Sequence, residues 1–175
     1  MSAARERELS IGFAPIAGGE PRVLILGSLP GRKSLEMNQY YAQPQNGFWR
    51  IMGALFDAGP AVPYPQRLER LIASRVAVWD VLAAGERSGS LDSAIVQSSV
   101  VVNDFGGFFT RHAGIRLICF NGSKASELYR RGVLPALAPS FATLATCLLP
   151  STSPANATVP FAAKLARWSA ALAEI

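Results

Sequence analysis

The sequence is poor in the side chains that build metal and redox centres: its 175 residues include one histidine and two cysteines. That number is too small for a four-cysteine zinc site or a four-cysteine iron–sulfur cluster. Cys119 and Cys147 each lie in an apolar run, which predicts buried free thiols in a reducing compartment. No apolar run approaches the roughly 20 residues that a membrane-spanning helix needs. Met1–Glu8 is polar and charged and carries no apolar stretch of signal-peptide type, so the expected compartment is the cytoplasm. Acidic residues are also in short supply, 12 against 17 lysines and arginines, for a net charge of +5. A basic globular chain suits a polyanionic partner such as double-stranded DNA.

Apolar residues, by contrast, make up half of the chain, ample for one core. The length predicts a single domain over residues 1–175, with 1–10 as a loosely ordered N-terminal segment. Short buried runs at Arg22–Leu26, Val76–Trp79, Ile115–Phe120 and Thr143–Leu149 read as strands. Between them lie helical patterns. One carries Phe48, Ile51, Met52, Leu55 and Phe56 and stops at Gly59-Pro60; the next carries Leu68, Leu71 and Ile72. Asn103 is placed to cap a helix bearing Phe105, Phe108 and Phe109, and Gly132 to close a helix over Ser123–Arg131. Pro160 opens a final helix with Phe161, Leu165, Trp168 and Leu172 on one face. Alternating strands and helices predict an α/β fold with a parallel sheet covered on both faces.

In such sheets ligands bind beyond the carboxyl ends of the strands. The loops there read Gly27-Ser-Leu-Pro-Gly31, Asp80-Val-Leu82, Asn121-Gly-Ser123 and Pro150-Ser-Thr-Ser-Pro-Ala-Asn156. The first is neither a GxGxxG fingerprint nor a P-loop, and no acyl-transfer histidine accompanies it. Ahead of the first long helix stands Tyr40-Tyr41-Ala-Gln-Pro44-Gln-Asn46-Gly-Phe48-Trp49. Asn46 can serve there as a helix cap. The two tyrosines, three amides and proline also offer what a planar heterocycle needs, faces to stack on and edges to hydrogen-bond. Asp80 reads as a structural carboxylate, with the crevice as its alternative setting. Ser90-Leu-Asp92 reads as a capped helical turn, and His112 as a helix-end or solvent-facing residue. Arg111, Arg116, Lys124, Arg130 and Arg131 are open both to lining a DNA face and to facing water alone.

Taken in order, the Gly27 loop, the Tyr-Tyr-x-x-Pro-Gln-Asn-x-Phe-Trp stretch and Leu-Pro-Ser-Thr-Ser-Pro-Ala-Asn156 resemble the signature motifs of the uracil-DNA glycosylase superfamily. The resemblance is strongest to its hypoxanthine-DNA (deoxyinosine) glycosylase branch and covers roughly residues 21 to 170. It implies a three-layer α/β/α sandwich with a four-stranded, mainly parallel central sheet. It also implies a monofunctional DNA N-glycosylase of base-excision repair, a monomer without cofactor or metal. Such an enzyme flips a deaminated base, hypoxanthine or uracil, out of duplex DNA and removes it by hydrolysis. On this resemblance Asn46 is the catalytic residue and Phe48 the surface on which the flipped base stacks. Gly27, Ser28, Tyr41 and Asn121 contact the base, with Asn121 reading its edge through an amide that both donates and accepts. Ser151, Thr152, Ser153, Pro154, Ala155 and Asn156 grip DNA, the Pro154-Ala155 tip entering the gap left by the base. Leu149 stands where the better-known uracil enzymes carry a histidine, and the first motif lacks an acidic residue or asparagine. Three other readings stand beside this one: a mainly uracil- or mismatch-specific glycosylase of the same fold, a non-catalytic DNA-binding module of the same fold, and a small-molecule nucleosidase.

Overall fold

The structure is a computed structural model and describes residues 7–173. Its centre is four parallel strands, β2 (Val23–Gly27), β3 (Val76–Asp80), β6 (Leu117–Asn121) and β7 (Ala145–Leu149), in the order β3-β2-β6-β7. Every residue of β2 and β3 is buried, which is why both read as continuous apolar runs without alternation. The pleat still sorts their side chains. Leu24, Leu26, Ala77, Trp79, Ile118 and Phe120 pack on one face against α4 (Phe105–Arg111) and α5 (Ser123–Leu128). Val23, Ile25, Val76, Val78 and Cys119 pack on the other against α2 (Phe48–Phe56), α3 (Tyr64–Ala73) and α7 (Phe161–Leu172). These are the three layers that strand–helix alternation predicts. Two shorter helices, α1 (Arg32–Met37) and α6 (Pro139–Ala142), lie in the connections.

A second sheet was not anticipated. β1 (Glu8–Ile11), β4 (Leu82–Arg87) and β5 (Val101–Val102) pair antiparallel in the order β1-β4-β5. Glu8–Ser10 had been assigned to a loosely ordered N-terminal segment; their partners in β4, Arg87 to Gly85, hold them in a strand instead. Residues 1–6 of that segment lie outside the described residues. β4 reads Leu-Ala-Ala-Gly-Glu-Arg, a composition depleted in strand formers, so only its partners reveal it. Val81 alone separates β3 from β4, and its N–H donates to the Gly27 carbonyl at 2.9 Å. The expected loop at Asp80–Leu82 is therefore a strand-to-strand corner packed against the first motif.

Three helix ends also differ. α2 stops at Asp57, whose left-handed backbone (φ 56°) lets its N–H reach the Gly53 carbonyl, before Gly59-Pro60 is met. Asp104 caps α4 by accepting the Gly107 N–H at 2.9 Å, while Asn103 donates from its side chain to the Asp80 carbonyl. Gly132 does not close a helix: the chain beyond α5 continues through a π turn at Tyr129–Val133 and a 3-10 turn at Leu134–Ala136.

Candidate active site

The carboxyl ends of β2, β3 and β6 and the loop after β7 open onto one crevice of about 1170 Å³. This exceeds the few hundred to about 1,000 Å³ usual for a small-molecule pocket, and leaves room for a nucleotide with its flanking backbone. Gly27, Ser28, Tyr41, Asn46, Asn121 and all of Ser151–Asn156 line it. The structure thus brings together every catalytic, base-contacting and DNA-contacting residue that the resemblance implies, except Phe48.

Phe48 lies one layer deeper than a stacking platform requires. Its side chain is fully buried, edge-on to Trp49 and Trp168, and one face is covered by Tyr41 with ring centroids 4.0 Å apart and planes at 22°. Of this stacked pair, Tyr41 is the ring that lines the crevice. Tyr41 holds a left-handed backbone (φ 54°), a costly setting for a bulky residue that the neighbouring packing enforces.

The sequence predicts Asn46 as the cap of α2; the cap position is Gly47 instead, and Asn46 stands one residue before it. Its Oδ1 accepts the Phe48 N–H at 3.0 Å, so the amide is fixed at the start of α2. This bond sets which end is oxygen, because only the oxygen can accept. The Nδ2 group has no partner among the described residues and sits at the crevice wall. The next residue, Gly47, donates its N–H to the Thr152 carbonyl at 2.9 Å and so ties the start of α2 to the loop after β7.

That loop is braced from within and from two neighbours. Asn121 donates from Nδ2 to Thr152 Oγ1 and accepts the Thr152 N–H on Oδ1, both at 2.9 Å. One N–H and one lone pair of its amide remain for a ligand. Gly122 follows with φ 94°, and a Cβ there would meet the Ser151 side chain at 3.0 Å, so glycine is required for β6 and this loop to pass. Ser151 Oγ accepts the Ser153 N–H and Ser153 Oγ accepts the Ala155 N–H, each at 3.2 Å, which leaves both hydroxyl hydrogens free to donate outward. From α7, Trp168 Nε1 donates to the Pro150 carbonyl and Lys164 Nζ to the Asn156 carbonyl. Pro154 and Ala155 are left exposed as the tip.

On the far side, the Gly27–Gly31 loop rests on a network that sequence did not reveal. Arg87 is 2% exposed; its guanidinium donates to the Pro30 carbonyl and lies 3.8 Å from Asp92, which in turn accepts the Ser28 hydroxyl at 2.6 Å. Ser90-Leu-Asp92 leads into a helical turn as expected, a 3-10 turn at Asp92–Ala94 without a side-chain cap, and is also a strut for the first motif. Asp80, at the end of β3, is the second residue to change standing. It lines the crevice, it is 4% exposed, and its Oδ2 is buried without a hydrogen-bond partner. Burial and then the nearby Asp92 charge push its carboxyl up to about 7, with Arg87 offsetting part of the rise. The Tyr41 hydroxyl is likewise buried without a partner in hydrogen-bond geometry; burial first and Asp80 second raise it above the ordinary phenol range, with the nearby Asn121 amide offsetting part of the rise. The only sequence signal for Asp80 is an acidic residue ending a strand that is otherwise apolar.

A family model described as the uracil DNA glycosylase superfamily matches residues 15–173. The chain belongs to this superfamily. It is therefore a DNA N-glycosylase that excises deaminated bases. The glycosylase is 42% identical over 117 residues to a protein of Methanosarcina acetivorans named hypoxanthine DNA glycosylase, a match covering 66% of this chain and 73% of that one. A protein of the same name from Methanosarcina barkeri is 37% identical over the same shares. Among solved structures, the solution NMR structure of a Methanosarcina acetivorans protein assigned to the uracil DNA glycosylases superposes with a TM-score of 0.77 at 36% identity, covering 94% of this chain and 97% of that one.

The remaining candidates of the glycosylase lie off this centre. His112 ends α4, its ring against Phe108, and burial followed by the Arg111 charge lowers its pKa. Arg131 and Lys124 pair with Glu127, while Arg111, Arg116 and Arg130 are exposed. Lys124 alone of these five reaches the crevice lining. Cys119 is buried as expected and its thiol is pushed up to about 12 by burial, whereas Cys147, opposite it on the edge strand β7, is half-buried.

Proposed function

We propose that the glycosylase removes hypoxanthine from double-stranded DNA, with uracil as a weaker substrate of the same pocket. The observation that carries this reading is Asn46, pinned by its oxygen at the start of α2 with its amino group unengaged at the crevice wall. The names of the two Methanosarcina relatives support the choice of base. Extruding the nucleotide costs a few kcal/mol, least at a mispaired base. The loop Ser151–Asn156 grips the strand, its free serine hydrogens facing phosphate oxygens. The base enters against the Tyr41–Phe48 pair. The glycosidic bond then breaks through an oxocarbenium-like state, and the Asn46 amide holds water and stabilises the separating charge. An amide does not titrate near neutral pH, so Asn46 acts by its dipole and not as a base. Leu149, buried at the end of β7 beside this site, supplies no proton.

The test is release of hypoxanthine from inosine-containing duplex by Asn46→Ala. Loss of one preorganised dipole is expected to lower the rate by about a hundredfold. A variant within about twofold of wild type would falsify the catalytic assignment. Uracil and hypoxanthine duplexes competing in one reaction rank the two bases.

A further inference from the structure

The buried polar groups of the crevice are hydrogen-bonded, with two exceptions that sit together. Asp80 faces Gly27 across the β2–β3 pairing, and a Cβ placed on Gly27 would lie 2.5 Å from Asp80 Oδ1 and 2.9 Å from the Tyr41 hydroxyl. A carboxyl and a phenol therefore converge on one point of the crevice floor, kept open by the absence of a side chain. Neither Asp80 Oδ2 nor the Tyr41 hydroxyl meets hydrogen-bond geometry with any described residue, although the Asn121 amide lies close enough to lower the Tyr41 pKa. Native proteins rarely leave such atoms unpaired, and a ligand is one standard reason for doing so. Among the described residues no cation pairs with the carboxyl: the Arg87 guanidinium is directed to the Pro30 and Ser90 carbonyls and to Asp92, and its Nε has no partner. The titratable groups that bear on it are Asp92, Arg87, Tyr40 and Tyr41, and the first two act on it in opposite directions.

We propose that Asp80 and Tyr41 read the edge of the flipped base, accepting its ring N–H on the carboxylate and donating the phenol to the adjacent carbonyl. This deepens the functional reading above and rests on it. Deamination creates that edge: hypoxanthine and uracil present a carbonyl beside a ring N–H, while adenine and cytosine present an amino group beside a ring lone pair. Against an ionised Asp80 the ring lone pair of an intact base meets the lone pairs of the carboxylate, with no proton between them. Against a protonated Asp80 either edge can pair, because a carboxylic acid donates and accepts. With the carboxyl titrating near 7, discrimination sharpens as the pH rises through that value. Asn121, whose amide is already bonded at both ends to Thr152, then braces the wall while Asp80 selects.

The experiment compares wild type, Asp80→Ala, Asp80→Asn and Tyr41→Phe in single-turnover release from hypoxanthine and uracil duplexes. It adds inhibition by free hypoxanthine and free adenine from about pH 6 to about pH 8. Asp80→Ala is expected to lower release by about a hundredfold, because the base edge and Tyr41 are left half-paired. Asp80→Asn keeps the shape and can pair with either edge. It is expected to stay within about tenfold of wild type on hypoxanthine and to be inhibited equally by adenine and hypoxanthine at every pH. In wild type, inhibition by adenine weakens relative to hypoxanthine as the pH rises. Tyr41→Phe, which preserves the ring stack on Phe48, is expected to lose about tenfold. The proposal is overturned if Asp80→Ala releases base within about twofold of wild type, or if Asp80→Asn retains the wild-type preference and its pH dependence. Wild type active with Asp80→Ala unimpaired sinks this inference alone; a wild type that releases neither base sinks the functional reading with it.

Discussion

A methyl group on Gly27 would press on the Asp80 carboxylate and the Tyr41 hydroxyl at once. Aspartate is short and its backbone carbonyl is held by Asn103, so it has little freedom to withdraw. Gly27→Ala is expected to lower stability by about 1–3 kcal/mol, the usual cost of overpacking a filled site. Hypoxanthine release should fall with it, because the two polar groups must part. Denaturant titration beside single-turnover release checks both, and a fully stable, fully active alanine variant would show the crevice floor to be looser than described. At this scale sequence reading placed Asn46 and Tyr41 at the crevice, since both sit in a dense local motif. It undervalued Asp80, Arg87 and Asp92, because the value of each comes from partners far along the chain: Gly27, Pro30 and Ser28.

Among the elements, α7 does more than cover the sheet. Its apolar face was legible from the spacing of Phe161, Leu165, Trp168 and Leu172, and all four join the core on that side. Its service to the site was not legible. Trp168 and Lys164 hold the carbonyls at the two ends of the Pro150–Asn156 loop, and Lys164 is 7% exposed although it is a lysine. Burial lowers its pKa, consistent with a cation committed to one internal carbonyl. Lys164→Met keeps the stem and removes the bond. Loss of a charge-assisted hydrogen bond of about 1.5–3 kcal/mol should loosen the loop. The measurable signs are faster amide exchange over Ser151–Asn156 and roughly tenfold weaker binding to duplex DNA. Unchanged exchange there would mean that Trp168 and Asn121 hold the loop without it. The second sheet belongs to the same scale. β4 was missed because its side chains argue against a strand and only pairing with β1 and β5 fixes it, yet it is the element that carries Arg87 under the first motif.

For the molecule as a whole, the net charge of +5 sets how it meets DNA. Phosphate contacts release counterions, so log affinity falls linearly with log salt at about 0.9 per contact. A grip made by the Ser151–Asn156 loop and a few basic side chains predicts a slope of about −2 to −4 for undamaged duplex. Fluorescence anisotropy over a salt series measures it. A slope near zero would favour an enzyme that takes free nucleosides in the same crevice.

What the sequence determined alone is whatever short-range chemistry dictates. Runs of buried residues made β2 and β3, helical spacing made α2 and α7, and the three motifs identified the superfamily and the loops that form the crevice. Those signals survive in one dimension because the responsible residues are neighbours. Tertiary structure decided which ring of the Tyr41–Phe48 pair lines the crevice, how the motif loop is braced, and that a carboxyl on β3 stands unpaired in the crevice floor. Each of these depends on the register of parallel strands, which sets Gly27 beside Asp80 and Asn121 beside Leu149. Such pairings join residues tens of positions apart, and their energies come from burial and desolvation that exist only once the sheet has closed.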